Sequence, residues 1–197
     1  MTKYVIFDLG GVVVELGKHP IPPQWLDAEK SFSFKDWFQS DIALSFERGL
    51  TSPDAFASAL KATLGLNVDN SDVLAQFTQW PVGLFPSMPS LLTSLKQDYT
   101  LVAFTNTNSL HYPRLIDEFK LETYFDHIFA SHLMHLAKPD LAAFEHVLQA
   151  LGTTADQVIF IDDNIANIQT ARNMGIHALH ASGEAAVTLA LKQAGVF

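Results

Sequence analysis

Five short apolar segments recur along the chain. They are residues 4–7, 100–105, 127–130, 158–161 and 176–180. Val, Ile and Phe are frequent in these segments, and hydrophobic and polar residues show no clean alternation along them. Continuous apolar character is typical of strands that are buried on both faces, so the pattern predicts five strands of a parallel sheet.

Helical patterns lie between the later strands. From Phe144 to Leu151 the apolar residues recur at the spacing of one helix face, with Pro139 just inside the predicted start and Gly152 just past the end. Residues 164–174 form a second pattern of this kind. Strands that alternate with helices predict an α/β fold with a doubly wound parallel sheet.

The stretch from about residue 16 to residue 84 differs, because it contains three or four helix patterns and no convincing strand. Residues 52–54 predict a helix start, since they offer a capping hydroxyl, a proline at the first position and an acidic first turn. The apolar face of this helix runs from Phe56 to Leu64, and Gly65 ends it.

Aromatic residues crowd the first half of this stretch, and they favour a small helical core over a ligand-binding stripe. They are Trp25, Phe32, Phe34, Trp37, Phe38 and Phe46. We therefore predict a helical cap of residues 16–84, inserted after strand one, and a catalytic core of residues 1–15 and 85–197. Residues 81–89, which include three prolines, are predicted to form the linker that returns to the core.

Composition narrows the class of protein. A chain of 197 residues with 48% hydrophobic residues is long enough for one domain with a modest insert. Acidic residues outnumber basic ones by 21 to 12, which argues against a nucleic-acid partner. The absence of cysteine excludes disulfides and thiolate metal sites. No signal peptide or membrane-spanning pattern is found, which predicts a soluble cytoplasmic protein without a membrane partner.

Polar residues follow the ends of the predicted strands. In a doubly wound sheet, ligands bind at the edge where the carboxyl ends of the strands meet. The residues predicted to converge there are Asp8, Gly10, Gly11, Thr105, Asn106, Lys138, Asp162 and Asp163. Taken singly, each has a plainer explanation as a turn residue, a helix cap or a solvated charge. Their order and their common edge together predict a site.

This set suits phosphoryl transfer. Asp8 is predicted to attack phosphorus and to form an aspartyl-phosphate. Lys138 would relieve the repulsion between this anionic nucleophile and an anionic substrate, and Thr105 completes the predicted catalytic set. Glycines would let the backbone approach the phosphate closely. The residues predicted to bind the phosphate are Gly10, Gly11, Thr105, Asn106 and Lys138.

Asp162 and Asp163 are adjacent carboxylates at a strand end, so they repel each other and raise each other's pKa. A divalent cation would remove that cost, and Mg²⁺ prefers oxygen ligands of this kind. We therefore predict a Mg²⁺ site formed by Asp8, Asp163 and the backbone carbonyl of Gly10, with Asp162 in or next to the coordination shell.

Four segments resemble the motifs of the haloacid dehalogenase-like hydrolase superfamily in order and in spacing. They are residues 7–13, 104–106, 138–139 and 161–164. The helical insert resembles the small cap of the superfamily's first subclass, and residues 46–51 resemble a turn within that cap. Residues 105–108 and 162–167 are most similar to bacterial sugar-phosphate phosphatases, among them α-glucose-1-phosphatase.

The resemblance covers essentially the whole chain. It implies a Rossmann-like core, Mg²⁺ as the cofactor and a small phosphorylated metabolite as the substrate, a phosphosugar being one candidate. The motifs are specific for the fold and the general chemistry, and they identify neither the substrate nor the oligomeric state.

Gly10 departs from the superfamily, whose phosphatases usually carry a second Asp two residues after the nucleophile as general acid and base. General acid catalysis contributes about 10²–10⁴-fold to the rate. One function that stays open is a slow phosphatase whose proton comes from water or from the substrate. Another is a hydrolase of a bond that needs no proton, such as an acyl phosphate, a phosphonate or a carbon–halogen bond. The third is a degenerate member that binds a phosphorylated ligand or a protein partner.

The pair Asp162-Asp163 favours the metal-dependent phosphatase among these functions, because the dehalogenases of the superfamily use no metal and lack a double Asp in the fourth motif. The histidines are weaker candidates. His132 and His135 have a spacing that suits a metal on a helix, but no third ligand matches them. His111 follows the Thr-Asn loop, where a helix-start role is favoured over a place at the entrance of the site.

Overall fold

A central parallel sheet organises the computed structural model, which describes residues 2–26 and 37–197. Within these ranges the strands are β1 (Tyr4–Phe7), β2 (Val14–Leu16), β3 (Pro81–Leu84), β4 (Thr100–Thr105), β5 (His127–Ala130), β6 (Val158–Asp162) and β7 (His177–His180). Five of them form the sheet in the order β5-β4-β1-β6-β7, and every neighbouring pair is parallel. The predicted doubly wound sheet is confirmed, and all five predicted strands are present to within one residue at their ends.

Helices pack against both faces of the sheet and form a separate cluster between β2 and β3. In the same ranges the α-helices are α1 (Asp41–Glu47), α2 (Pro53–Leu64), α3 (Asn70–Thr78), α4 (Met88–Leu95), α5 (Ser131–Met134), α6 (Leu141–Leu151), α7 (Ile165–Asn173) and α8 (Glu184–Gln193). The prediction that Pro139 lies inside α6 is wrong: Asp140 has an extended backbone and is the N-cap, a position that suits Asp, so Pro139 precedes the helix. None of the helices in this part of the chain is long and apolar enough to cross a membrane.

Both faces of the sheet are covered, which explains why its central strands lack alternation. Val5 and Phe7 point into a hydrophobic cluster that includes residues of α4 and α8. Ile6, between them, belongs to a second cluster that includes residues of α6 and α7. Since successive side chains of a strand point to opposite faces, β1 needs an apolar residue at each of these positions.

The cap contains a third hydrophobic cluster, which the helices α1, α2 and α3 share. Trp37 and Phe46 are buried in it, and Trp25 and Phe38 are partly buried against it. These four aromatic residues therefore lie in a helical core, as predicted. The predicted helix start is confirmed, because the Ser52 hydroxyl accepts a hydrogen bond from the Ala55 amide at 3.2 Å. The other two predicted aromatics, Phe32 and Phe34, lie outside the described residues.

A two-stranded antiparallel ribbon joins cap and core, and the sequence interpretation missed it. β2 pairs with β3, so the prediction of no strand in residues 16–84 and of a linker at 81–89 is wrong. Pro81 is the first residue of β3, a strand position that proline tolerates, and Val82 is 57% exposed. The ribbon is too short and too exposed to show a hydrophobic pattern. The domain boundaries at 15/16 and 84/85 fall at these strands and stay a prediction.

Candidate active site

The turn after β1 places Asp8 at the edge of the sheet. The carbonyl of Leu9 accepts hydrogen bonds from the amides of residues 12–14 at 2.7–3.2 Å, which folds the chain back on itself. Gly11 adopts φ of +73° within this turn, a backbone conformation that favours glycine. The carboxyl of Asp8 is therefore held at a fixed place, 8% exposed, at the carboxyl end of the central strand.

Lys138 lies at the centre of the polar residues rather than in solvent. Its Nζ atom donates to Asp8 Oδ1, to Asp162 Oδ2 and to the carbonyl of Phe104, each at 2.7 Å. Burial alone would lower the pKa of Lys138, but the charges of Asp162 and Asp8 raise it above its usual value. Lys138 is therefore a buried ammonium group that binds two carboxylates at once.

Asn106 fixes the loop that carries Lys138. Its Oδ1 atom accepts from the Lys138 amide at 2.9 Å, and its Nδ2 atom donates to the Lys138 carbonyl at 2.8 Å. This reciprocal pair joins the end of β4 to the loop before α6. The sequence predicted that Asn106 lies in the site, and the structure adds that its side chain orients the lysine.

Asp162 is fully buried, and the protein satisfies both of its carboxylate oxygens. Oδ1 accepts from the Asn164 amide and from Asn167 Nδ2, at 2.7 and 3.0 Å. Oδ2 accepts from Lys138 and again from Asn167 Nδ2, at 2.7 and 2.9 Å. Asn167, on the first turn of α7, was not among the predicted site residues. The feature of the sequence that could have indicated it is its position five residues after Asp162, an acid at a strand end.

Three carboxylates form one acidic group. Asp8, Asp162 and Asp163 offer oxygens that lie within 4.8 Å of one another, and among the described residues they form the one such group. Burial raises the pKa of Asp8 to about 7; Lys138 opposes this shift, and Asp162 and Asp163 reinforce it. The pKa of Asp163 is raised as well, by partial burial and then by Asp162. The effect of Asp162 on Asp163 has the sign that the sequence predicted for this pair.

Among the described residues, one lysine, Lys138, forms ion pairs with this group of three carboxyls. The residual charge favours a cation, and carboxylate oxygens are the ligands that hard divalent cations prefer. His132 and His135 belong to no such group within the described ranges. Instead, the ring of His135 is hydrogen-bonded through Nδ1 to the Arg48 carbonyl at 2.8 Å.

A pocket opens between the cap and the core beside this group. Its cavity volume is about 90 Å³, and it reaches the end of the sheet at Gly10, Thr105 and Asn106. Most of its wall is apolar. The apolar side chains of the wall are Leu9, Val14, Leu16, Phe38, Ala43, Phe46, Phe56, Phe77, Trp80, Pro81 and Leu115.

His111 lies in the wall of this pocket and is buried, so its role goes beyond beginning a helical turn. Its Nε2 atom lies 2.7 Å from the carbonyl of Phe77, which requires a proton on Nε2. Its Nδ1 atom lies 3.2 Å from the Asn108 amide nitrogen and accepts from it. Burial lowers the pKa of His111 to about 4, so the ring is neutral at neutral pH.

Glu47 is the carboxyl that the cap contributes to this pocket. It is the last residue of α1, and its Oε2 atom accepts from Asn106 Nδ2 at 3.3 Å. Burial raises the pKa of Glu47 to about 7, against the opposing effects of Asn106, Lys138 and Arg48. Glu47 was not predicted as a site residue, because a glutamate at the end of a helix is normally interpreted as a surface residue.

The chain is similar to known proteins over nearly its full length. A family model described as haloacid dehalogenase-like hydrolase matches residues 2–175. The chain is 34% identical to the sesquiterpene phosphatase astK of Aspergillus oryzae, over 97% of this chain and 95% of that protein. It is 22% identical to the D-ribitol-5-phosphate phosphatase of Bacteroides thetaiotaomicron, over 89% of each chain.

A solved structure has a similar fold. It is that of a HAD family enzyme from Bacteroides thetaiotaomicron in complex with magnesium and inorganic phosphate. The TM-score is 0.78 at 26% identity, and the match covers 93% of this chain and 96% of that one.

Proposed function

The chain belongs to the haloacid dehalogenase-like hydrolases, and from this premise we propose that it is a Mg²⁺-dependent phosphatase that attacks a phosphomonoester through Asp8. The resemblance expected from the four motifs is thereby confirmed. One observation carries the proposal: Asp8 lies at the end of the central strand, bound to Lys138 at 2.7 Å and grouped with Asp163. A fixed carboxylate beside a buried cation is suited to attack on an anionic phosphate.

Asp8, Asp163 and the carbonyl of Gly10 would hold the Mg²⁺ ion. The acidic group fits a divalent cation, because Lys138 is the one lysine paired with its three carboxylates in the described part of the chain. The bound ion would neutralise charge on the phosphoryl group and on the nucleophile. Asp162 has hydrogen bonds at both oxygens, so its role in the proposal is to hold Lys138 next to the ion.

The transferring oxygens would be bound by Thr105, Asn106 and Lys138. Thr105 is buried at the end of β4, and Lys138 is 3% exposed, so both can act on a phosphate with little competition from water. Lys138 also favours the ionised form of Asp8, because it opposes the effect of burial on the pKa of that carboxyl. The turn with Gly10 and Gly11 would bring the backbone close to the phosphate.

The leaving group proposed for the substrate is an apolar alcohol. The pocket beside Gly10 and Thr105 is lined mainly by aromatic and aliphatic side chains, which would bind a hydrocarbon and offer fewer partners to sugar hydroxyls. The sesquiterpene phosphatase similar to this chain is named for a substrate of this kind. A phosphosugar or sugar-alcohol phosphate is the second candidate, supported by the ribitol-phosphate phosphatase relative.

A substrate panel and one variant test both the phosphatase function and the apolar leaving group. Wild-type protein should hydrolyse p-nitrophenyl phosphate with Mg²⁺ and lose this activity in EDTA, and Asp8→Asn should abolish it while circular dichroism shows an intact fold. Farnesyl monophosphate and hexyl phosphate should exceed ribitol 5-phosphate and glucose 1-phosphate at least about tenfold in kcat/KM, since each buried methylene contributes about 0.8 kcal/mol.

The alternatives have distinct signatures in the same assays. With a 2-haloacid added to the panel, halide release that persists in EDTA would support a dehalogenase instead of a phosphatase. Binding of phosphorylated ligands without turnover would support a degenerate member. Preference for ribitol 5-phosphate would keep the phosphatase and overturn the apolar leaving group.

A further inference from the structure

Gly10 has no side chain that could give a proton to the leaving group, yet an alkoxide leaving group needs one. Besides water and the substrate, a side chain elsewhere around the pocket is a source of this proton. This inference rests on the phosphatase function proposed above and concerns the source of that proton.

Glu47 reaches the site from the cap side. It lines the same pocket as Gly10 and Thr105. In the described part of the chain, the carboxyl forms a single hydrogen bond, in which Oε2 accepts from Asn106 at 3.3 Å. Oε1 therefore has no hydrogen-bond partner among the described residues and can donate a proton to a ligand.

The position of Glu47 is fixed by contacts of its backbone with the core. The Ser131 hydroxyl donates to the Glu47 carbonyl at 2.6 Å and accepts from the Thr107 amide at 2.9 Å. The next carbonyl, that of Arg48, is bound by His135 at 2.8 Å. These bonds tie the end of α1 to the strand-end loops that carry the predicted site, so Glu47 is held in place without a ligand.

The surroundings of Glu47 favour its protonated form. Burial is the largest effect, and it brings the pKa of the carboxyl to about 7, although Asn106, Lys138 and Arg48 all favour the charged form. A group that titrates near neutral pH is an efficient general acid, because it is still protonated and gives up its proton readily. Glu47 faces no second carboxylate within hydrogen-bonding distance in the described ranges.

We propose that Glu47 is the catalytic proton donor that replaces the missing acid at position 10. Its carboxyl proton passes to the alcohol oxygen as the P–O bond breaks and the bond from Asp8 to phosphorus forms. The Glu47 carboxylate then takes a proton from the water that attacks the aspartyl-phosphate. Phosphate leaves, Asp8 is restored, and Glu47 returns to its protonated form.

The test compares two leaving groups in Glu47→Gln and wild-type protein. A hexyl alkoxide needs protonation, whereas a nitrophenolate leaves without it. Since kcat/KM reports the steps up to leaving-group departure, the variant should lose about 10²-fold with hexyl phosphate and less than about threefold with p-nitrophenyl phosphate. Asp41→Asn, at the exposed first residue of the same helix, is the matched control and should change neither.

The pH profile supplies a readout that a structural role would not change. With hexyl phosphate, kcat/KM of the wild type should fall above pH of about 7, where Glu47 loses its proton, and the variant should lack this limb. Equal losses on both substrates in Glu47→Gln, or no loss on either, would overturn the proposal for Glu47. A wild-type enzyme that hydrolyses p-nitrophenyl phosphate and not hexyl phosphate would overturn it too. Absence of turnover on both substrates would instead overturn the phosphatase function and Glu47 with it.

Discussion

Gly11 and Asp163 pack so closely that a Cβ atom at Gly11 would lie 2.6 Å from Oδ2 of Asp163. The sequence suggested that this glycine lets the backbone approach a phosphate. The structure gives a second reason for it: the missing side chain leaves room for a carboxylate of the acidic group. The turn after β1 and the end of β6 are therefore matched to each other at the atomic level.

Gly11→Ala should both strain the turn and displace Asp163. An alanine at φ of +73° costs about 1–2 kcal/mol in the free energy of unfolding, and the new methyl group would push the carboxylate away. Gly152→Ala is the matched control, because it has φ of +60° and nothing within 4 Å of the added Cβ. Urea unfolding should show similar losses for both variants, and calorimetry should show weaker Mg²⁺ binding for Gly11→Ala alone. Equal Mg²⁺ affinity in the two variants would contradict this packing argument.

Asp162 and Asp163 are neighbours with different predicted phenotypes. Asp163→Ala should weaken Mg²⁺ binding at least about tenfold in calorimetry, because it removes a ligand oxygen. It should not destabilise the metal-free fold, since the pKa of Asp163 is raised by partial burial and by Asp162, which means that its charge is unfavourable there.

Asp162→Asn is the contrasting variant. It leaves the buried Lys138 with one fewer carboxylate, and breaking a buried pair costs about 3–5 kcal/mol. Urea unfolding without metal separates the two effects. If Asp163→Ala is the variant that loses stability and Asp162→Asn the one that only loses metal binding, the assignment is reversed.

The sequence predicted the sheet and the central residues of the site because both depend on strand ends. Buried parallel strands are continuous apolar runs, and the residues that follow them must meet at one edge. Asp8, Lys138 and Asp162 could therefore be placed together without knowing the packing of the cap. Their hydrogen bonds of 2.7 Å through Lys138 agree with that placement.

Contacts between distant segments could not be predicted in this way. Glu47 is brought to Asn106 only by the docking of α1, 59 residues away along the chain. The ribbon of β2 and β3 is likewise formed by segments that the whole helical cap separates. Asn167 was not predicted, because an asparagine on a helix carries no signal of a site in the sequence. The structure shows that its Nδ2 atom donates to both carboxylate oxygens of Asp162.

His111 should make the protein sensitive to acid. Its pKa is lowered from 6.5 to about 4 by burial, so between these values the unfolded chain binds more protons than the folded one. Stability therefore rises with pH across this window and is lost as pH falls through it, by up to about 1.4 kcal/mol per unit. Protonation would also set a new N–H on Nδ1 against the Asn108 amide group.

Urea unfolding of His111→Gln between pH 4 and 7 checks this sign. The variant should be less stable at pH 7, where the bond to the Phe77 carbonyl is lost or weakened, and its stability should change less on acidification. The raised pKa values of Asp8 and Glu47 act in the opposite direction, since their ionisation opposes folding as pH rises. Asp8 and Glu47 are present in both wild type and His111→Gln, so their effects cancel when the two proteins are compared. Parallel curves of unfolding free energy against pH would show that His111 does not cause the sensitivity to acid.

Gly10→Asp should reveal which group supplies the leaving-group proton. A Cβ at Gly10 would lie 3.3 Å from Leu16 Cδ1, the end of a side chain that can move, and Gly10 is not in the left-handed region. The new carboxyl would stand near Asp8 and Asp163, so the variant should need saturating Mg²⁺ to offset the added repulsion. If Glu47 already donates the proton, Gly10→Asp should change kcat/KM for hexyl phosphate less than about threefold, because a second donor adds little.

The same substitution in Glu47→Gln should restore the lost activity. Gly10→Asp then supplies the general acid, and kcat/KM for hexyl phosphate should recover about tenfold or more, with little change for p-nitrophenyl phosphate. Gly83→Asp, where an added Cβ meets nothing within 4 Å, controls for the extra charge and should rescue nothing. The opposite result would be a large gain from Gly10→Asp in the wild-type background and no larger gain in the Glu47→Gln background. It would mean that the wild-type site lacks a general acid and that Glu47 does not replace it.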